Sequence, residues 1–479
     1  MGSAAAKNAS GVNGITEGVI WKQLLKFFFP ILLGTFFQQL YNTVDAVIVG
    51  NFVGKEALAA VGGSTSQLIN LLIGFFTGLA SGGSVIIAQF YGAGRRKDTS
   101  HAVHTLICLG LAVSVLFTVV GIAFARPALQ AMAVPDSIME YSVTYTRIYF
   151  GGVTFTVLYN IGSAILRSIG DAKRPLYFLI VCCLANVVLD LFFVVILDME
   201  VAGAAIATVI CQVISVILTF AALMRTTDCY RVVLKRLRVD WNLLKSMLRI
   251  GIPVGFQSTL YSISNILIQS TVNGFGTDTI AGWTAYGKVD SFFWMISNAL
   301  GIAITTFVGQ NFGAGKYDRV RKSVRVAMGM GLGMAAVLSV VMLLTRHVML
   351  GLFTNDANVI ALGEEMMFYM ASFYVLYMPI EIFSGAIKGA GDSVAPMVIT
   401  LVGVCVLRVA WVLILVPIWH NLFMLSISYP VSWAVTSAIF IVYYLKGGWM
   451  ERCFRLQKYR CTLKSRGFWS SPETGGFFV

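Results

Sequence analysis

Apolar residues in this chain come in long, nearly unbroken runs, and short polar breaks divide one run from the next. About 20 apolar residues, at 1.5 Å of helical rise each, cross the roughly 30 Å hydrocarbon core of a bilayer. Twelve runs reach that length, near residues 24–50, 64–90, 102–124, 141–165, 175–197, 201–223, 249–273, 283–310, 326–344, 362–387, 396–416 and 423–445. Helix is the element they predict. Barrel strands are about half as long and alternate apolar with polar residues, and no other backbone satisfies its own hydrogen bonds in lipid.

Composition turns this pattern into a fold class. The 479 residues are 57% hydrophobic and 12% charged, with a mean hydropathy of +0.80, against about 45–50% and 25% in soluble domains. The expectation is an all-α membrane protein of twelve transmembrane helices. It excludes a soluble enzyme, a disordered chain and a coiled coil.

The formal charge of +13 would point to nucleic acid in a soluble protein. Here the bilayer explains it. With the N-terminus inside, 29 of the 35 Lys and Arg fall on inner segments, and the outer segments hold only Lys55, Arg126 and Arg346. Positive residues of this distribution mark the cytoplasmic side, so both termini are expected in the cytoplasm of a multi-pass cell (inner) membrane protein that binds no nucleic acid. Met1 to Thr16 lacks the charged-then-apolar form of a signal peptide. Asn8-Ala9-Ser10 fits a glycosylation acceptor, but on the inner side. The eight Cys and four His show no metal-ligand spacing, so no metal or other cofactor is expected.

The chain also repeats itself. Gln89-Phe90-Tyr91-Gly92-Ala93-Gly94 returns as Gln310-Asn311-Phe312-Gly313-Ala314-Gly315, each followed by a basic cluster. Ser163, Gly170, Asp171 and Pro175 return as Ser384, Gly391, Asp392 and Pro396, and Pro30 at the start of helix 1 returns as Pro253 at the start of helix 7. The offset stays at 221 to 223 residues. The predicted layout is an N-terminal cytoplasmic tail (1–20), an N lobe of helices 1–6 (21–224), a basic cytoplasmic linker (225–248), a C lobe of helices 7–12 (249–446) and a C-terminal cytoplasmic tail (447–479). Two six-helix copies of like orientation are an arrangement that transporters use, with a site between the halves near the midplane.

Four acids fall inside spans: Asp45, Asp190, Asp290 and Glu381. An intramembrane acid costs about 2.5–3.5 kcal/mol on the insertion scale and marks an ion or proton path by default. Asp45 shares one helix face with Gln38, Tyr41 and Asn42, and Asp190 shares one with Asn186. Two carboxylates near each other in low dielectric resist ionising together, which suits them to hold a proton or a sodium ion. Asp290 has Lys288 as an alternative, purely structural partner, and Glu381 stands where the other half has Asn160.

Pro30, the segment from Gln39 through Asp45 to Gly50, Glu56-Ala57-Leu58-Ala59-Ala60-Val61-Gly62, Leu166-Arg167-Ser168-Ile169-Gly170-Asp171 and the repeated Gly-Ala-Gly together resemble the multidrug and toxic compound extrusion (MATE) family, over about Trp21 to Leu445. The resemblance implies two six-helix lobes in a V and antiport of amphipathic or cationic small molecules against H⁺ or Na⁺. It further implies that Asp45 is the first-helix coupling acid and that Asn186 and Asp190 belong to an N-lobe polar cluster, joined by Thr208, by Asn160 or Ser163, and by Tyr145. Pro30 is then the proline at which helix 1 bends when the acid is protonated. One branch of the family carries a carboxylate early in helix 7, where this chain has Tyr261 between Gln257 and Ser262. The N-lobe acids are therefore the favoured coupling site, with Glu381 and Asp290 as an alternative in the C lobe.

Aromatic and pliable side chains, including Tyr41, Tyr145, Tyr159, Trp283, Tyr286, Phe292 and Met295, are candidates to line the substrate cavity with Gln38, Asn42, Gln257 and Tyr261. The protein is expected to act as a monomer in the bilayer. A flippase for lipid-linked or polysaccharide intermediates, from the same superfamily, is the rival reading. It would want several cavity Arg, and only Arg147, Lys288 and Arg408 lie within spans. Gly389-Ala390-Gly391-Asp392 has the form of an intramembrane aspartyl protease motif, but its copy Ser168-Ile169-Gly170-Asp171 assigns it to the repeat.

Overall fold

The computed structural model describes residues 14–132 and 134–455, and among them every regular element is a helix. The first lobe comprises α1 (Ile20–Phe52), α2 (Lys55–Gly62), α3 (Ser64–Gly92), α4 (Arg96–Ala131), α5 (Asp136–Gly151), α6 (Val153–Ser168), α7 (Lys173–Asp190) and α8 (Glu200–Arg225). The second comprises α9 (Trp241–Asn273), α10 (Thr277–Gly313), α11 (Tyr317–Gly351), α12 (Ala357–Ala371), α13 (Tyr374–Ala390), α14 (Val394–Thr400), α15 (Leu407–Ile418) and α16 (Leu422–Lys446).

More elements than spans arise because several spans are broken. Helices α5 and α6 meet at 51° across Gly152, and α12 and α13 at 50° across Ser372–Phe373. Nine helical stretches of the described residues are long and apolar enough to cross a membrane, or eleven spans when each bent pair counts as one. The remaining expected span is α9, long enough at 33 residues but studded with Gln257, Ser258, Ser262, Ser264, Asn265 and Gln269. Pro30 and Pro253 both sit inside their helices rather than at the starts, since α1 and α9 begin at Ile20 and Trp241. A proline there removes one hydrogen bond to the preceding turn and makes a bending point.

Two large apolar cores correspond to the lobes, and their membership crosses over. Leu24, Phe27, Phe28 and Ile31, from the first half of α1, belong to the core of the second lobe. Leu243, Met247 and Ile250, from the start of α9, belong to the core of the first. Each lobe's opening helix thus begins in the partner lobe and ends in its own, as Ile48 and Val49 of α1 and Ile268 and Val272 of α9 do.

Where they cross, the lobes touch backbone to backbone. A Cβ on Gly78 would lie 2.4 Å from the nitrogen of Gly255, and one on Gly82 would lie 2.2 Å from the carbonyl oxygen of Met247. Small residues permit such approach between helices in lipid, where no hydrophobic force draws apolar helices together. Further along, the repeated motif makes a reciprocal clasp. The Gln89 amide donates to the Gly389 carbonyl at 2.8 Å, and the Gln310 amide donates to the Ser168 carbonyl at 2.7 Å. Both bonds carry the same repeat offset of 221 residues. Gly92 and Gly313 are reciprocal too, a Cβ on either falling 2.0 Å from the carbonyl oxygen of Gln310 or Gln89.

The segments flanking this end are tied down. Arg319 donates to the carbonyls of Ile15, Glu17 and Gly18, and Lys316 to that of Thr16, so the described part of the N-terminal tail is strapped across to α11. The 225–248 linker packs on α4: Tyr230 and Val232 are buried, and the Val233 amide donates to His104 Nε2. Arg452 pairs with the buried Asp392 at 3.0 Å, and Phe454 stacks on Phe312, so the start of the C-terminal tail is docked rather than solvated. The Asn8 acceptor sequence and residues 456–479 lie outside the described residues.

Replacing both clasp glutamines, Gln89→Ala with Gln310→Ala, removes two buried hydrogen bonds worth about 1 kcal/mol each, or about 5-fold per bond in population. Spin-label distances across the lobes at this end are expected to shift to longer values. An unchanged distribution would mean that the glycine contacts alone hold the lobes together.

Candidate functional site

Two polar insets interrupt the apolar interior, one in each lobe. In the first, α1 presents Asp45, α7 presents Asn186 and Asp190, and α8 presents Thr208, all buried. The Asn186 amide reaches Asp45 Oδ1 and the Thr208 hydroxyl reaches Asp45 Oδ2, each at the long distance of 3.5 Å. Thr208 is oriented by its own shorter bond to the Ala204 carbonyl, 3.0 Å. Asp190 faces Asp45, yet among the described residues no donor meets hydrogen-bond geometry at either of its oxygens or at Asn186 Oδ1. Three buried acceptor oxygens left without donors beside a second carboxyl are what a proton, or a hard cation that prefers oxygen ligands, would satisfy.

The backbone is irregular at this point. Helix α7 ends at Asp190 and continues as a six-residue π-helical turn, Leu191–Ile196. Such bulges add a residue to the helix and re-aim the side chains on either side. Tyr41 and Tyr145 stand beside Asp45 and Thr208, on α1 and α5. Asn160 instead donates to the Thr156 carbonyl of its own helix, and Ser163 lies beside Tyr159, so neither bonds to Asp45 or Asp190. Gln38 and Asn42 share the Asp45 helix but are exposed.

The second inset opens into a cavity of about 670 Å³, lined among others by Tyr261, Trp283, Tyr286, Asp290, Glu381 and Arg408. Of the expected cavity residues, only Tyr261, Trp283 and Tyr286 belong to this lining; Gln38, Tyr41, Asn42, Tyr145, Tyr159, Gln257, Phe292 and Met295 do not. Asp290 accepts three bonds: Tyr286 donates to Oδ1 at 3.0 Å, Trp294 to Oδ2 at 2.7 Å, and Tyr374 also to Oδ1. Lys288, two residues away, points elsewhere, because residues at that spacing do not share a helix face. Glu381 accepts from Tyr377 at 3.3 Å. Arg408 follows a second π-helical turn, Leu401–Val406, and is buried over the face of Tyr429.

Tyr374, Trp294, Tyr377 and Ser432 were not expected from the sequence. Trp294 and Tyr377 each stand four residues from the acid they serve, a spacing that could have indicated them. Tyr374 and Ser432 reach their partners from other helices, which spacing cannot show.

Comparison with known proteins agrees with this architecture. The sequence model of the family described as MatE matches residues 30–192 and again 253–414. The probable multidrug resistance protein YoeA of Bacillus subtilis (strain 168) is 30% identical over 440 residues, covering 89% of this chain and 93% of that one. The probable multidrug resistance protein YpnP of the same organism is 27% identical, covering 91% and 97%. A crystal structure of MATE in the straight conformation superposes with a TM-score of 0.85 at 22% identity, covering 94% of this chain and 99% of that one.

The three donors around Asp290 make a stability prediction. Asp290→Ala leaves an indole N–H and one of two mutually bonded hydroxyls, Tyr286 and Tyr374 at 3.1 Å, without an acceptor, each such orphan costing about 1–3 kcal/mol. Thermal unfolding in detergent is expected to fall by several degrees, and by less in Asp290→Asn, which keeps an acceptor oxygen.

Proposed function

Since the chain belongs to the MATE family, whose members are membrane transporters and not enzymes, we propose that it exports amphipathic or cationic small molecules by alternating access in exchange for H⁺ or Na⁺. The observation that carries this reading is the Asp45–Asn186–Asp190–Thr208 inset with its unpaired oxygens. A proton or sodium ion arriving there supplies the missing positive charge. Departure of that ion leaves two facing carboxyls to repel each other in low dielectric. The ion shifts the equilibrium between the two access states only through its different affinity for each.

Helix α1 is the element through which this site acts on the rest of the molecule. Asp45 lies in its second half, against the first lobe, while its first half, with Pro30 between Phe28 and Ile31, lies in the core of the second lobe. A bend at Pro30 is the means by which occupancy of the site is conveyed to the lobe contact. In this reading the lobes run from 21 to 224 and from 249 to 446, the basic segments face the cytoplasm of a cell membrane together with both termini, and one chain suffices. The Gln89 and Gln310 clasp then closes the cytoplasmic side. Supporting a drug exporter over a lipid-linked flippase, the second cavity holds a single Arg rather than a cluster.

Reconstitution into proteoliposomes with pH and sodium gradients imposed separately tests the proposal. Wild type is expected to move a cationic dye such as ethidium under one of the two gradients, and Asp45→Asn or Asp190→Asn to abolish that movement with unfolding temperature retained. Gradient-driven transport by Asp45→Asn at the wild-type rate would overturn the assignment.

A further inference from the structure

The end of the molecule that carries the basic segments has a hollow of its own, of about 370 Å³, between the first turn of α1 and the first turns of α11. Arg319, Lys322, Arg325 and Val326 line it from α11, and Ile20 and Trp21 line it from α1. The three cations recur every three residues, which sets them along one side of the helix. Arg319 is engaged, since its nitrogens donate to the carbonyls of Ile15, Glu17 and Gly18 and to Gln23 Oε1. Lys322 and Arg325 are exposed, and among the described residues neither makes a hydrogen bond or an ion pair. The nearby acids answer other groups: Glu17 stands 3.9 Å from Lys316, and Asp318 stands 3.9 Å from Arg321.

Both helices run on from this hollow into apolar, exposed surface. On α11 the side that bears Lys322 and Val326 continues through Val337, Val340 and Leu344, all exposed. On α1 the exposed Trp21 is followed by Phe29 and Phe36, each about two turns further along. Such side chains face acyl chains in a membrane-spanning helix, and a Trp at the end of the apolar stretch takes the level of the head groups. Two free cations at that level, above apolar tracks, therefore meet both parts of a lipid.

We propose that this hollow binds an anionic phospholipid of the adjoining leaflet, with the phosphate at Lys322 and Arg325 and the chains on the apolar surface of α1 and α11. Basic pockets between membrane helices suit anionic head groups. A zwitterionic phospholipid brings its own ammonium, which the two cations repel. Free phosphate supplies the charge but leaves Trp21 and the apolar tracks uncovered. An occupied hollow holds the part of α1 before Pro30 against α11, in addition to the strap that Arg319 makes with the residues preceding α1. This binding requires neither the exchanged ion nor the exported molecule to be as proposed above.

Native mass spectrometry of the full-length protein in detergent tests the site, with dioleoyl phosphatidylglycerol and dioleoyl phosphatidylcholine as the probes. Wild type is expected to bind a first phosphatidylglycerol about 25-fold more tightly than phosphatidylcholine, about 5-fold for each free cation. Lys322→Gln with Arg325→Gln is expected to bring the two lipids to similar affinity. Lys235→Gln with Arg236→Gln, an equally exposed pair in the linker, is expected to keep the preference. Equal binding of the two lipids by wild type, or the same loss of preference in both double variants, overturns the proposal. Displacement of phosphatidylglycerol by an equal concentration of inorganic phosphate also overturns it, because the hollow would then be a site for a free anion. All four substitutions are at exposed positions, so the unfolding temperature without added lipid is expected to stay at the wild-type value.

Discussion

Each lobe starts its first helix inside the other, and the remaining structure accommodates that exchange. Lipid provides no hydrophobic force between apolar helices, so association must come from close contact. The exchange supplies it twice, through Leu24, Phe27 and Phe28 in one direction and Leu243, Met247 and Ile250 in the other. Gly78, Gly82, Gly251 and Gly255 are then required at the crossing, because any side chain there would occupy the neighbouring backbone. The lobes are joined at the end that carries the basic segments, and the strap at Ile15 to Gly18 and the docked turn at residues 449–455 reinforce the same end.

On this twofold scaffold the two polar insets have diverged. The first brings two carboxyls together and leaves their neighbouring acceptors without donors. The second surrounds one acid with phenols and an indole, and lines one cavity with an arginine, a glutamate and aromatic rings. The backbone devices are nevertheless common to both: a bend of about 50° in each fourth span, and a π-helical turn in each fifth span beside the charged residue. Shared geometry with unlike side chains gives the two lobes different polar chemistry on one backbone plan.

Much of this was legible in the sequence because lipid imposes a coarse, long-range pattern on it. The spans, the repeat and the Asn186–Asp190 pair follow from run length and spacing, and Asp45 stands out as an acid in the middle of an apolar helix. What the sequence hid were partnerships between helices. Tyr374 reaches Asp290 from α13, Ser432 reaches Arg408 from α16, and Asn160 turned out to bond within its own helix, since a polar residue can satisfy itself one turn back. The docking of the linker and of the described tail segments was not legible from their basic composition. Burial of Tyr230, Val232 and Trp449 depends on a few apolar residues per segment, too few to register in a composition.

The clasp between Gln89 and Gly389 on one side and Gln310 and Ser168 on the other is isologous, since one patch meets its own copy across an axis. A surface of that kind needs only one set of residues to be specified. Two separate six-helix chains carrying the motif could close on each other as the two halves do here. Joining them into one chain preserves the contact and removes the requirement that the halves be identical. Arg408 in one half and the Asp45–Asp190 pair in the other are differences that two identical chains would not permit.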